Sequence, residues 1–448
     1  MEVVNTVTGN TDSETQSGNP GIYRFVAVCC SQILSASGTG VLGFGLIVWA
    51  YQTTRSVTFV SMLAMGSALP RPLTLIFTGT LVDRYGPRWA ILVGNLGSIL
   101  SLAPSVVLLW SGQLKPWHIV VSFTLASACQ SLLWPAALSS VAVLISRQNR
   151  MRANGMLQAG IAATGIIAPL VGGLVLLRYS ITTLLAITIG TYAVSMVALA
   201  FFEIPSPPSS NERPEKESYL RNMAEAWAFL RYEPTLLRLT ILFALCTFLM
   251  TTASVLLKPL VLSFASAPTL AAILSVGGVG MLLGSVAVTV SGKGATNLKQ
   301  VMLVMMISGL CIAIAGTRPV IPLILILTFI HSFSMPITGS GVQNIIQGNT
   351  PIHLQGRIFS TTSAITLATM PLAYLIAGPL ADHVFEPLVA PGGMLAGSVG
   401  QVIGVGAGRG IGLLFIISGC LVILIALLGQ LEPQKEIHAR QMLSQEGS

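Results

Sequence analysis

Apolar runs recur along almost the whole chain, at 22–50, 57–82, 89–110, 117–145, 152–177 and 181–202, and again at 236–264, 268–291, 299–317, 320–346, 356–381 and 409–429. Each comes close to or exceeds the ~20 residues a helix needs to cross a hydrocarbon layer roughly 30 Å thick. Such a layer offers the backbone no water, so a spanning segment must satisfy its own amides and carbonyls, and a helix does this within one run. The pattern predicts an all-α membrane protein with twelve transmembrane helices. With 53% of its 448 residues hydrophobic and only 8% charged, the chain has too few charges to cover a water-soluble surface of that size.

The net charge of +8 raises nucleic-acid binding as an alternative, but the charges sit in short loops between apolar runs, where membrane topology explains them better. Placing the N-terminus in the cytoplasm puts sixteen of the 23 Lys and Arg residues on the inner side and six on the outer, with Arg71 mid-span. Cytoplasmic loops carry the positive excess, so an even number of spans with both termini inside is expected. The layout reads as a disordered cytoplasmic tail over 1–20, a six-helix bundle over 21–203, a cytoplasmic linker over 204–235, a second six-helix bundle over 236–430 and a cytoplasmic tail over 431–448. The linker opens with Pro205, Pro207 and Pro208; its stretch 219–230 has apolar residues at helical spacing, which predicts an amphipathic helix on the inner membrane face, with a solvated linker helix as the other reading. A Gly- and Pro-rich external loop is expected over 382–408, with Asp382 and Glu386 as surface charges. Its glycines, Gly404 to Gly410, follow no strand and so do not read as a phosphate loop. The six cysteines all lie in apolar runs without zinc-type spacing, and no metal or other cofactor is expected.

Between spans 2 and 3 stands Gly79-Thr80-Leu81-Val82-Asp83-Arg84-Tyr85-Gly86-Pro87-Arg88. Gly86 permits a tight turn, and Asp83 is an anion at a helix end, free to face a helix N-terminus. This segment resembles the G-x-L-x-D-R-x-G-x-R signature of the major facilitator superfamily, matched at Gly79, Leu81, Asp83, Arg84, Gly86 and Arg88. The resemblance implies two pseudo-symmetric six-helix bundles, and a conformational gate in which Asp83 meets the start of span 11 when the inner side is shut. The equivalent turn of the second half, around Gly284 to Gly294, lacks the Asp-Arg pair. Span 5 carries Gly165, Pro169, Gly172 and Gly173, similar to the Gly- and Pro-rich stretch of the family's exporters, with Ala168 where that stretch has a glycine. On Asp83-Arg84, Gln355-Gly356-Arg357 and Gly378-Pro379-Leu380-Ala381-Asp382, the overall pattern is most similar to the branch of macrolide-efflux and siderophore-exporting proteins.

That architecture places spans 1, 4, 7 and 10 around a central cavity. Polar residues recur on them at helical spacing: Gln32, Ser35 and Thr39; Ser127, Gln130, Ser131 and Trp134; Thr247, Thr251 and Ser254; His331, Ser334 and Thr338. Two readings stand for the glutamines and for Trp134, contact between helices or a face on the cavity. Arg71 lies mid-span between Pro70 and Pro72, where a guanidinium needs a partner or water, so it is expected to face a watery cavity and an anionic group of a substrate, with snorkelling to the interface as the other reading. His331 is a candidate proton carrier, with a neutral core histidine as the other reading. Lys258, near an outer helix end, is expected to snorkel to the interface. The substrate-cavity set is thus Gln32, Ser35, Arg71, Ser127, Gln130, Trp134, Thr251, His331 and Ser334.

These readings predict a monomeric inner- or plasma-membrane transporter, not an enzyme, that exports an amphipathic drug or secondary metabolite by alternating access. Its expected partners are that small molecule and the lipid bilayer, with no nucleic acid. The resemblance adds protons through antiport, although the family's span-4 arginine is replaced here by Ser127. The alternatives are a siderophore or lysolipid mover of the same fold, and a non-transporting membrane sensor.

Overall fold

The computed structural model describes residues 20–146, 149–202, 227–291, 297–350 and 354–430. The predicted tails, most of the linker with its predicted amphipathic helix, and the side chains of Arg71 and Asp83 lie outside the described residues.

The apolar runs form helical rods: α1 (Pro20–Thr54), α2 (Val57–Ala68, continued as Pro70–Tyr85), α3 (Pro87–Trp110), α4 (Pro116–Gln130, continued as Leu133–Leu144), α5 (Arg150–Arg178) and α6 (Ile181–Ala200). The second half repeats the count with α7 (Pro234–Leu262), α8 (Ala267–Ser291), α9 (Leu298–Ala315), α10 (Ile321–Gly348), α11 (Gln355–Leu380) and α12 (Arg409–Gln430). Eleven of these are long and apolar enough to cross a membrane unaided. The remaining rod is α2, whose pieces of 12 and 16 residues are each too short. Pro70 and Pro72 lack the N–H groups that would bond the carbonyls of Gly66 and Ala68, so the rod bends there. Leu69 keeps helical dihedrals (φ −63°, ψ −40°), and its N–H bonds the carbonyl of Met65 at 2.8 Å, so the two pieces run on as one bent crossing. Pro135 removes the bond to Ser131 in the same way and divides α4.

One boundary departs from the sequence reading. The expected loop from residue 382 starts later, because α11 passes into a π-helical turn, Ala381–Phe385, and then into Glu386–Val389. Both carboxylates there find donors on neighbouring helices, so the polar residues need no loop. The irregular stretch beyond them holds the short helix Val399–Ile403.

Helices pack as two groups of six. In the first, α1 lies against α5 and α6, and α3 against α4 and α6; in the second, α8 lies on α10, α9 on α10 and α12, and α7 on α11 and α12. The groups meet where α5 lies along α8 and where α2 lies along α11. Large apolar side chains such as Leu100, Val107, Leu174, Val194 and Ile326 point outwards, which suits a lipid solvent. Trp110, Trp117 and Tyr179 stand exposed at one end of the molecule, as interfacial aromatic anchors do. That end, where α1 turns into α2, is the first end; the second end is where α2 turns into α3.

Small residues set the distance between the groups. A Cβ on Gly173 of α5 would stand 2.7 Å from that of Ala271 in α8, and one on Gly278 would stand 2.7 Å from Ile166. The Ser275 hydroxyl of α8 donates to the carbonyl of Ile166 at 2.8 Å. Gly172 packs inside its own group, where a Cβ would come 2.8 Å from the Phe44 ring.

Candidate functional site

The contact at the first end begins with a tight turn. Arg55 takes φ 52°, a left-handed conformation uncommon outside glycine, so α1 reverses into α2 within two residues. The opening amides of α2 have no partners within the helix. Ser56 caps the third through its hydroxyl, which accepts from Phe59 N–H at 3.2 Å. The first two are taken by Asp382, at the end of α11. Its Oδ1 accepts from Val57 N–H at 3.0 Å, and its Oδ2 accepts from Thr58 N–H at 2.8 Å and from the Ser56 hydroxyl at 2.8 Å. The carboxylate also faces the positive end of the α2 dipole. One turn earlier, a Cβ on Gly378 would lie 2.5 Å from Thr58 Cα and 2.9 Å from Ser61 Cβ, so α11 touches α2 almost backbone to backbone. One turn later, Glu386 accepts from Ile411 N–H at 3.2 Å at the start of α12, inside its own group. Two carboxylates on one helix end thus cap two helices, one in each group.

At the second end, Gly86 adopts φ 85°, which closes the turn from α2 to α3, and its N–H bonds the carbonyl of Val82 at 2.9 Å. Arg84 lies over the Tyr85 ring, with 5.3 Å between the guanidinium carbon and the ring centre. Arg88 donates to the carbonyl of Ala200 at 3.0 Å, within the first group. Leu81 is half-buried, and Gly79 lies in the second piece of α2.

Two cavities accompany these contacts. One of about 320 Å³ lies between the groups and takes its wall from Thr39, Gly43, Ser67, Phe123 and Pro169 on one side, and from Ser254, Lys258, Leu274 and Tyr374 on the other. The second, of about 400 Å³, lies among α7, α9, α10 and α11. Met250, Met305 and Met335 line it with Phe243 and Phe359, joined by Thr247, Thr338, Gln343 and Thr366. Flexible, polarisable methionines suit ligands of varied shape.

The substrate-cavity set read from the sequence is dispersed. Ser35 is fully buried, with its hydroxyl within hydrogen-bond distance of Asn95 Oδ1 at 2.9 Å and Ser195 Oγ at 3.0 Å. Gln130 joins the same network, its Nε2 reaching Ser98 Oγ at 3.1 Å and Asn95 Oδ1 at 3.3 Å. Gln32 is buried nearby, and its Nε2 has no hydrogen-bond partner among the described residues; the same holds for Nδ1 of His331. Trp134 packs against the cluster of Phe25, Cys29 and Ala137, Ser127 is half-buried on α4, and Thr251 is buried on α7. Ser334 returns its hydroxyl to the carbonyl of Ile330 at 2.7 Å. Other members of the same polar stripes, Thr39, Thr247, Ser254 and Thr338, line the two cavities. Of the span-5 stretch, Pro169 lines the cavity between the groups, Gly173 meets α8 and Gly165 lies beside Gly278.

Asp382 and Lys258 carry the largest differences from the sequence reading. Asp382 is bonded to α2 instead of standing free in a loop, and Lys258 faces the cavity between the groups. A signal for the first exists in Ser56-Val57-Thr58-Phe59, a cap-like helix start, but nothing local shows which acceptor completes it.

The sequence model described as Major Facilitator Superfamily matches residues 28–374. The chain belongs to this superfamily. Major facilitator proteins are membrane transporters, so this chain is a multi-pass transporter and not an enzyme. It is 25% identical to the multidrug efflux pump Tap of Mycolicibacterium fortuitum over 362 residues, which cover 78% of this chain and 88% of that one. It is 22% identical to macrolide efflux protein A of Streptococcus pyogenes over 368 residues, 81% of this chain and 90% of the other. Both of these relatives are named for efflux. Solved structures share the fold. The nucleoside transporter NupG superposes with a TM-score of 0.68 at 12% identity, covering 92% of this chain and 98% of its own. A bacterial homologue of the human lysosomal transporter Spinster, inward-facing and unoccupied, superposes with 0.67 at 12% identity, covering 92% and 98%.

Proposed function

We propose that this major facilitator protein is a secondary active exporter of an amphipathic small molecule, acting by alternating access as a monomer in the plasma membrane with both termini in the cytoplasm. The first end is then the outer face, and the arrangement described is open towards the inside. One observation carries the reading. The bundles over 21–203 and 236–430 share a cavity, yet at the first end they are tied by glycine contacts and by the side chain of Asp382, a union that can part without unfolding either bundle. The efflux activity named for the relatives supports outward movement, and the Met-lined cavity supports an amphipathic cargo of drug or secondary-metabolite type. The inward-facing state named for the Spinster homologue supports the orientation. Exchange with protons supplies the drive. In the opposite state Asp83 takes up the start of α11 at the inner face, with Arg71 and His331 along the substrate path.

The test is transport by purified protein in liposomes that trap a pH-sensitive dye, with a macrolide or an amphipathic carboxylate added. Substrate movement with a matching opposite flow of protons is expected. Substrate movement without any pH change under any gradient would remove the antiport element, and no movement of either compound would remove the export reading.

A further inference from the structure

Lys258 is a cation that the exporter reading does not use. It lies on α7 four residues before the end of the helix. A lysine so placed ordinarily extends to the membrane surface. Here the residues beyond it, Leu260, Val261 and Leu262, are buried, and Gly408 of the 390–408 stretch lies against Ser263, so the end of α7 is covered. The side chain instead lines the 320 Å³ cavity between the bundles, a space in the roughly 300–1,000 Å³ range of small-molecule sites. The two carboxylates at this end are committed elsewhere, Asp382 to the start of α2 and Glu386 to the start of α12. Among the described residues no acidic group compensates the Lys258 ammonium. The same cavity takes hydroxyls from Ser254 and Tyr374 and apolar walls from Phe123 and Pro169, whereas the hydroxyls of Thr39 and Ser67 already donate to the carbonyls of Ser35 and Ala64. A half-buried cation that shares a cavity with hydroxyl donors and an aromatic side chain is complementary to an anionic head group on an apolar body.

We propose that this cavity is a binding site for small amphipathic anions, with Lys258 as the counter-charge to a carboxylate or sulfonate. The site specifies the cargo class of the exporter and in that respect rests on the transport reading. Binding itself needs neither a gradient nor movement of the bundles, so it is tested apart from transport. The full-length protein in lipid nanodiscs is titrated with 2-naphthoate and with its neutral isostere 2-naphthamide, followed by calorimetry. The unaltered protein is expected to favour the carboxylate at least tenfold. Lys258→Met should erase that preference while leaving amide binding within twofold, and Lys258→Arg should keep it. Ser254→Asp, one helical turn away, should abolish carboxylate binding with Lys258 still present, because it supplies an internal anion. Melting curves confirm that each variant is folded. A preference that survives Lys258→Met, or no preference in the unaltered protein, overturns the proposal. Selective binding without any transport would instead overturn the exporter reading and leave the site standing.

Discussion

Asp382 accepts three hydrogen bonds from the start of α2, two of them from backbone amides that have no partner within their own helix. A hydrogen bond to a charged group contributes roughly 1.5–3 kcal/mol, and every ~1.4 kcal/mol is a factor of ten in an equilibrium. Asp382→Asn retains one acceptor oxygen and loses the charge, so the ratio of closed to open first ends should fall about ten- to hundredfold. Spin labels on the exposed Gln52 and Gln401, with Cys30 and Cys420 replaced, would read this as a shift towards longer distances. An unchanged distance distribution would mean that the cap does not set the balance. Within the first bundle, Asn95 binds Ser35, Ser195 and Gln130 from three other helices. Asn95→Ala strands those groups, and a stability loss of about 1–3 kcal/mol is expected in denaturant melts. Neither role is legible in the sequence. Asp382 sits beside a Gly- and Pro-rich stretch and reads as loop charge, because its partners are 324 to 326 positions away. Ser35 and Gln130 are visible as polar residues in apolar helices, but helical spacing cannot tell a face towards neighbouring helices from one towards a cavity.

The helices themselves are almost fully legible, since hydropathy and length are local properties and the bilayer permits few alternatives. The bend of α2 is harder to see. Pro70 and Pro72 flank Arg71 in plain view, but their effect on the length of each helical piece follows only from the missing bonds to Gly66 and Ala68. The span-5 glycines show their small size without a sign of what they approach. Gly173 is where α5 meets α8, so Gly173→Leu should prevent that approach while leaving each bundle intact. Transport should drop at least tenfold with little change in expression or melting temperature. Gly165→Leu, where a Cβ has open space, should be tolerated much better. Equal loss from both would argue against α5–α8 contact as the cause.

Across the molecule, two bundles with an even number of crossings are readable from the repeat of apolar runs and the distribution of Lys and Arg. The end at which the bundles meet is not, because under the proposed alternation one sequence would encode both arrangements. Locking one tests the scheme. A Cβ at 378 would stand 2.9 Å from that of Ser61 and 2.5 Å from Thr58 Cα, so the roughly 3.5–4.5 Å of a disulfide is reached when α11 and α2 move apart by about 1 Å. Ser61→Cys with Gly378→Cys should cross-link on oxidation and stop transport, and a reductant should restore it. Persistent transport by the cross-linked protein would exclude opening at that end. The cap at α2 also has a consequence for the surroundings. When Asp382 withdraws, Glu386 keeps hold of α12, and what changes is that one carboxylate and the amides of Val57 and Thr58 become hydrated. Separation therefore takes up solvent, and osmotic stress from a solute too large to enter the cleft should favour the shut form in proportion to the volume of water admitted.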